Sequence, residues 1–249
     1  MGKEEAQKFL PPGFMMDPKF PSDGADCDEE HARYMLSIVW PILFSYRLVL
    51  VAQRAMSTYT TIGMFAVGDR DLSHIGAGHV FYLDYPGKGK TLLANVPALV
   101  AGGVASRFQG VPDSVPADYL GSRIIQPNPE TGKREFQLVK GPAFGDIQVL
   151  DEFNRNNTRT QSAALQVLGE NTITIGDETH HVAPFAIITA NPVEQEGVFP
   201  LSEAFLDRIM FQIRGQEFTA ETFAEILERT RRYDGITLQK VCEIKQVHE

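Results

Sequence analysis

Gly87, Gly89, Lys90 and Thr91 stand together in the run Asp84-Tyr85-Pro86-Gly87-Lys88-Gly89-Lys90-Thr91. Those residue types at that spacing suit the holding of a phosphate chain. The glycines let backbone N–H groups curl around an anion without Cβ clashes. A lysine after them can reach terminal phosphates, and the next hydroxyl can ligate Mg²⁺. The segment ahead, His79 to Leu83, reads as a short apolar strand, and Thr91 to about Val104 reads as a helix. That is the strand–loop–helix setting a phosphate loop needs, with the helix N-terminus adding its positive dipole end. Pro86, Gly87, Lys88, Gly89, Lys90, Thr91 and Leu92 are the expected nucleotide contacts. One position is irregular: Asp84 stands where GxxxxGK[ST] has its first glycine.

Three more groups follow in order. Ile147 to Leu150 form a strand-like run that ends in Asp151-Glu152. Asp151 is placed to hold the Mg²⁺ shell and Glu152 to polarise an attacking water as general base. Ile187-Ile188-Thr189-Ala190 ends in Asn191, whose amide could orient that water. Arg208, in Leu201 to Arg208, could stabilise transition-state charge in a neighbouring subunit's site. Each has a plainer alternative: surface carboxylates capping a strand, an Asn-Pro turn, and a surface Arg paired with Asp207 or Glu203. Their succession behind a phosphate loop weighs against all three.

Alternating strands and helices must position these groups. Beyond the two segments around the loop, Thr158 to Glu170 reads as a helix, Thr172 to Val182 as a hairpin turning at Gly176-Asp177, and Ala186 to Thr189 as a buried strand. Residues 219–232 and 236–247 read as helices. Such alternation predicts a parallel sheet wrapped by helices. Residues 29–57 look helical, and a looser stretch with Gly63, Gly68, Gly76 and Gly78 follows. Residues 1–28 read as a flexible acidic tail without the apolar core of a signal peptide.

Apolar residues make up 43% of the 249, enough for a substantial core. The net charge of −9 argues against nucleic acid as the default partner. Cys27 and Cys242 form no CxxC pair, so free thiols in a reducing cytosol are expected rather than a disulfide framework or zinc site. His31, His74, His79, His180, His181 and His248 show no metal-ligand spacing and read as structural or surface residues. The stretch Met35 to Ala52 is nearly long enough to span a bilayer, but Pro41 interrupts it and Arg47 sits inside it. Two core-packed helical segments meeting at Pro41 are the better reading.

Taken in order, these motifs resemble the MoxR family of AAA+ ATPases, from about His79 to Phe211. Asp84 in place of the first glycine is common there. Pro112-Asp113-Ser114-Val115-Pro116-Ala117-Asp118 with Gly121-Ser122 matches a family stretch, as do Gly141-Pro142-Ala143-Phe144 and Asp151-Glu152-Phe153-Asn154-Arg155. Thr160 to Leu165 with Glu170, Asn191 to Gly197, and Glu203 to Arg208 complete the series. The resemblance implies an α/β P-loop NTPase fold: a parallel sheet flanked by helices, a helix-2-insert hairpin within 121–141, a pre-sensor-1 hairpin within 172–182, and a short helical C-terminal segment. It implies a core over 29–216 and the start of a lid over 217–249. It assigns Lys90 and Thr91 to Walker A, Asp151 and Glu152 to Walker B, Asn191 to sensor 1, and Arg208 to an arginine finger acting in trans.

Three features depart from the pattern. Pro97 interrupts the helix after the phosphate loop, and Gln148 puts an amide into a strand that is usually apolar. The family's lid, with its sensor 2 Arg, normally extends beyond a position equivalent to Glu249, which leaves nucleotide closure and turnover open. The resemblance implies ATP and Mg²⁺ as cofactors, a ring of subunits such as a hexamer, a cytoplasmic chaperone-like role, and a protein client linked to a von Willebrand A domain partner. Two alternatives stand beside it: a nucleotide-binding scaffold with little hydrolysis, and a nucleic-acid motor of a related helix-2-insert clade using Lys133, Arg134 and Lys140. Glu130 and Glu135 dilute that last charge cluster.

Overall fold

A computed structural model describes residues 39, 42–43, 45–46, 54–66, 78–83, 90–127, 132–191, 197–214 and 219–231. The expected tail at 1–28, the junction at Pro41, the phosphate loop at 84–89, the hairpin turn near 128–131 and the helix at 236–247 lie outside those residues. The elements run α1 (Arg54–Ala66), β1 (His79–Leu83), α2 (Lys90–Ala101), β2 (Ala105–Gln109), α3 (Pro116–Leu120), β3 (Gly121–Pro127) and β4 (Arg134–Lys140). They continue with β5 (Ile147–Asp151), α4 (Thr158–Glu170), β6 (Thr172–Ile175), β7 (Glu178–His181), β8 (Phe185–Ala190), α5 (Glu203–Leu206), β9 (Ile209–Arg214) and α6 (Ala220–Arg231). Short 3-10 turns occupy Pro142–Phe144 and Phe153–Arg155.

Five strands form a parallel sheet in the order β2-β5-β8-β1-β9. Its central strands read as continuous apolar runs because both faces are covered. Every residue of β8 is buried, as are four of the five in β1. Side chains then sort by the two-residue period of a strand. Val80 and Tyr82, Ile147 and Val149, and Phe185 and Ile187 join one core with Met56 and Met64 of α1 and Val96, Ala98 and Val100 of α2. Phe81, Leu150, Ala186 and Ile188 join the other, with Tyr119 of α3 and Ala164, Val167 and Leu168 of α4. Each fully buried large apolar side chain contributes about 1.5–3 kcal/mol.

Local chemistry sets the element ends. The Asn157 side chain accepts from the N–H groups of Arg159 and Thr160, capping α4 at its start, a contact worth about 1 kcal/mol. Asn171 ends the helix in the left-handed region at φ 53°. The 172–182 hairpin forms as expected, with β6 and β7 joined at Gly176-Asp177. The predicted 121–141 hairpin is β3 paired with β4. Arg123 braces the two hairpins by ion pairs to Asp177 and, at 2.5 Å, to Glu178.

Several elements differ from the sequence reading. Strands β2 and β9 were not anticipated: β2 is Ala-Ser-Arg-Phe-Gln, with only Phe108 buried. The expected loose stretch after residue 57 is instead helical to Ala66. Gly63 acts there as a packing point rather than a breaker, since a Cβ on it would run into the Gly78 carbonyl oxygen and Val80. Helix α2 continues through Pro97, which is buried. Packing of the flanking Val96 and Ala98 offsets the lost backbone hydrogen bond. Among the described residues no helix is long and apolar enough to cross a membrane.

His79 is the structural histidine the sequence suggests. It is fully buried; its Nδ1 accepts from the Ala186 N–H at 3.2 Å, and its Nε2 lies 3.2 Å from the Leu168 carbonyl oxygen. That pairing makes Nε2 the protonated nitrogen of a neutral ring. Burial lowers its pKa from 6.5 to about 4. The folded state therefore refuses a proton that the unfolded chain accepts, so this stability is complete above pH 6.5 and drains away as pH falls towards 4. The loss amounts to about 3 kcal/mol across that window. Urea unfolding at pH 7 and pH 4.5 should show a shallower loss in His79→Gln, which keeps a donor and an acceptor but does not titrate. Equal losses in both proteins would contradict this account.

Candidate functional site

Because the sheet is parallel, its carboxyl ends share one edge, the usual place for ligands in open α/β sheets. Strand β5 ends there in Asp151, and β8 ends one residue before Asn191. Strand β1 ends beside them, with Leu83 opposite Ala190, and the chain next re-emerges as α2 at Lys90. The edge thus gathers Asp151, Glu152 and Asn191 with the two ends of the phosphate loop. The loop residues Pro86, Gly87, Lys88 and Gly89 lie outside the described part, as do the side chains of Lys90, Thr91 and Leu92. The backbone at 90–92 forms the first turn of α2.

Register decides which face the carboxylates use. Asp151 shares parity with Ile147 and Val149, whose side chains lie in the core lined by α2. Thr189 falls on the same face from β8, and Arg107 and Gln109 from β2, where Arg107 pairs with Val149 and Gln109 with Asp151. The result is a connected polar network. The Thr189 hydroxyl donates to Asp151 Oδ1 at 2.6 Å, and Arg107 Nη2 donates to Asp151 Oδ2 at 2.7 Å. The Glu152 N–H donates to Thr189 Oγ1 at 3.0 Å.

Glu152 takes the left-handed conformation, φ 48° and ψ 43°, which costs a non-glycine residue about 1–2 kcal/mol. That kink turns the chain out of β5 into the 153–155 turn. It leaves Glu152 Oε2 accepting from Gln109 Nε2 at 3.0 Å and from Arg155 Nη1 at 3.2 Å. The following turn is fastened to the end of β8: Asn154 Nδ2 approaches the Asn191 carbonyl oxygen at 3.5 Å, and the Phe199 N–H donates to the Asn154 carbonyl at 2.7 Å. Asn191 itself is buried.

The donor set suits a nucleotide with a hard divalent cation. Asp151, Glu152, Thr189 and Asn191 offer oxygen, the preference of Mg²⁺, and the edge faces the N-terminus of a twelve-residue helix, which favours phosphate. Among the described residues no group of three or more His, Cys, Asp and Glu could hold a metal by itself. A cation here would depend on phosphate oxygens as further ligands, as Mg²⁺ commonly does.

Arg208 is not part of this gathering. It immediately precedes β9, whose first residue Ile209 pairs with His79 at the amino end of β1. It therefore stands at the opposite edge of the sheet, a strand length or roughly 15 Å from the carboxylates of its own chain. Its guanidinium lies across Gly169 near the end of α4, where any Cβ would collide with it, and Nη1 donates to the Ala204 carbonyl at 2.8 Å.

Arg107, Gln109 and Thr189 are the contacts that motif reading missed. Their signal was the alternation Ser106-Arg107-Phe108-Gln109, with polar residues at every second place of a strand, and the hydroxyl at the end of an apolar run.

The family model for the ATPase family associated with various cellular activities (AAA) matches residues 79–211. The chain is 35% identical over 189 residues to Chaperone MoxR1 of Mycobacterium tuberculosis, covering 75% of this chain and 46% of that protein. It is 38% identical over 161 residues to the uncharacterised protein YeaC of Bacillus subtilis, covering 61% of this chain and 49% of that one. The crystal structure of a candidate ATPase from Cytophaga hutchinsonii superposes with a TM-score of 0.74 at 30% identity, covering 88% of this chain and 63% of that chain. The chain spans about half the length of the two sequence relatives.

Proposed function

This chain belongs to the MoxR family of AAA+ ATPases, and on that premise we propose that it binds ATP with Mg²⁺ and hydrolyses it as one subunit of a hexameric ring. The observation that carries the reading is the convergence of Asp151, Glu152 and Asn191 on the sheet edge from which α2 departs. Pro86 to Leu92 hold the phosphates, with Lys90 reaching the terminal groups. Thr91 and Asp151 hold Mg²⁺, which when bound neutralises charge on the phosphate oxygens. Glu152 takes a proton from the attacking water as its oxygen bonds to the γ-phosphorus, and the bond to the bridging oxygen breaks to release ADP. Asn191 orients that water, held in place by the Asn154 contact to its backbone. Arg208 reaches a neighbour's γ-phosphate, a task its position denies it in its own site.

Around that centre the reading is of a cytoplasmic chaperone-like factor. Its hairpins press on a protein client, one linked to a von Willebrand A domain partner, with residues 29–216 as the motor core and 217–249 as the start of a lid. The name of the Mycobacterium tuberculosis relative, a chaperone, supports the client-directed role. The test is Mg²⁺-dependent ATP hydrolysis over a wide range of chain concentrations. Turnover per chain should rise with concentration and then level off as rings form. Tight nucleotide binding with no turnover at any concentration would instead make the chain a nucleotide-responsive scaffold.

A further inference from the structure

Gln148 departs from the apolar pattern of its strand, and the ATPase reading gives it no task. It sits in β5 three residues before Asp151, fully buried, on the face opposite the carboxylates. All of its side-chain hydrogen bonds run to one feature, the base of the β3–β4 hairpin. Nε2 donates to the Ala143 carbonyl at 2.7 Å and to the Gly145 carbonyl at 3.2 Å, just beyond the outgoing arm β4. Oε1 accepts from the Tyr119 hydroxyl at 2.6 Å, on the helix α3 that leads directly into the incoming arm β3. Tyr119 and Ala143 are themselves fully buried, and burial raises the Tyr119 pKa far above its ordinary value, so it stays a donor. One amide thus links the segment that leads into the hairpin with the segment that leaves it.

The base is also narrow. Gly121 and Gly141 face each other there, Gly121 at φ 98°; a Cβ on Gly121 would run into the backbone of Val139 to Gly141, and one on Gly141 into the backbone of Tyr119 to Gly121. A hairpin with so slim a neck would swing about it if nothing else fixed its direction. The Arg123 ion pairs brace the hairpin at its exposed flank, and the satisfied amide ties its base to β5, where each buried bond is costly to leave unmade.

We infer that Gln148 is the joint that makes the β3–β4 hairpin and the carboxylate-bearing strand β5 move as one body. It is a positioning residue, and its role deepens the ATPase reading: a shift of Asp151 and Glu152 on nucleotide binding is carried to the hairpin through an amide three residues away. Lever motion of the hairpin rests on that reading, whereas the joint itself rests on the three side-chain hydrogen bonds alone.

Hydrogen exchange on the full chain tests both parts, with and without a non-hydrolysable ATP analogue and Mg²⁺. In Gln148→Met, similar in volume but unable to bond, exchange in residues 121–127 and 134–140 should rise roughly tenfold or more without nucleotide, while β8 stays as in the native chain. Nucleotide should slow hairpin exchange in the native chain and not in Gln148→Met, with affinities in the two proteins within about threefold. Unchanged hairpin exchange in the variant, or an equal response to nucleotide, would overturn the joint. If Gln148→Met also loosens β8 and so fails to fold properly, the decision passes to Tyr119→Phe. That variant lacks one of the three bonds and should raise hairpin exchange severalfold with β8 unchanged; no rise overturns the proposal. A native chain that takes up no nucleotide sinks the ATPase reading alone, because the nucleotide-free comparison still decides the joint.

Discussion

Glu152→Gln should reduce ATP turnover by about 10²–10⁴-fold, the usual worth of a positioned general base, while leaving nucleotide bound. The substitution is close to isosteric and keeps an acceptor oxygen for Gln109 and Arg155. The ion pair it removes is partly exposed and contributes less than about 1 kcal/mol. Backbone features that place the residue, its left-handed conformation and its N–H bond to Thr189, do not depend on the carboxylate. Fold and nucleotide affinity should therefore survive, and the loss should fall on kcat with little change in KM. Steady-state hydrolysis alongside equilibrium binding of a fluorescent ATP analogue reads both quantities. Turnover within tenfold of native would remove Glu152 from the role of base and direct attention to the hydrogen-bonded Asp151–Thr189 pair.

For Arg208→Ala the expected loss is about 10³–10⁵-fold, the worth of an arginine supplied to a phosphoryl-transfer transition state. Its position makes a further demand. An arginine at the amino edge of the sheet cannot serve carboxylates at the carboxyl edge of the same chain, so the two single variants must complement each other. Mixed in equal amounts, an Arg208→Ala subunit keeps an intact carboxylate site and a Glu152→Gln neighbour keeps an intact arginine. Random mixing in a ring of repeated head-to-tail interfaces should restore about a quarter of native turnover. Truncation also removes the contact with Gly169 and the exposed bond to the Ala204 carbonyl, so urea unfolding of the variant should accompany the assay. A mixture as inactive as its parts would argue that Arg208 acts through structure rather than on a neighbour's phosphate.

Much of the site was legible because phosphate chemistry leaves local marks. A glycine loop, a lysine and a hydroxyl must be contiguous to wrap one anion, and an Asp-Glu pair must end a strand, so both are visible in short windows. Apolar runs such as Ala186 to Ile188, within the strand read as Ala186 to Thr189, announce buried parallel strands for the same reason: burial on both faces leaves few polar positions. Helix α4 was readable to its ends from the apolar side formed by Ala163, Ala164, Val167 and Leu168; the structure adds the asparagines that cap it.

Edge elements were harder. Strand β2 has one neighbour and buries only Phe108, so its sequence carries no strong strand signature, yet it delivers Arg107 and Gln109 to the two carboxylates. Gly63 looked like a break in a helix because glycine is a poor helix former; only the approach of the Gly78 carbonyl explains its presence. Gln148 looked like an error in a strand. Its partners Tyr119, Ala143 and Gly145 are close in space because the chain folds the hairpin base onto the strand, a relation no short window contains.

By itself, then, the sequence determined the family, the parallel α/β architecture and the candidate residues proposed to meet phosphate, since these depend on residue type, spacing and period. The tertiary structure decided which groups meet. Strand order and register bring Thr189 and Arg107 to Asp151, turn Glu152 towards Gln109, and put Arg208 at the far edge of the sheet. Those relations arise from hydrogen-bonded pairing between strands distant in sequence, and pairing partners are chosen only when the whole sheet assembles.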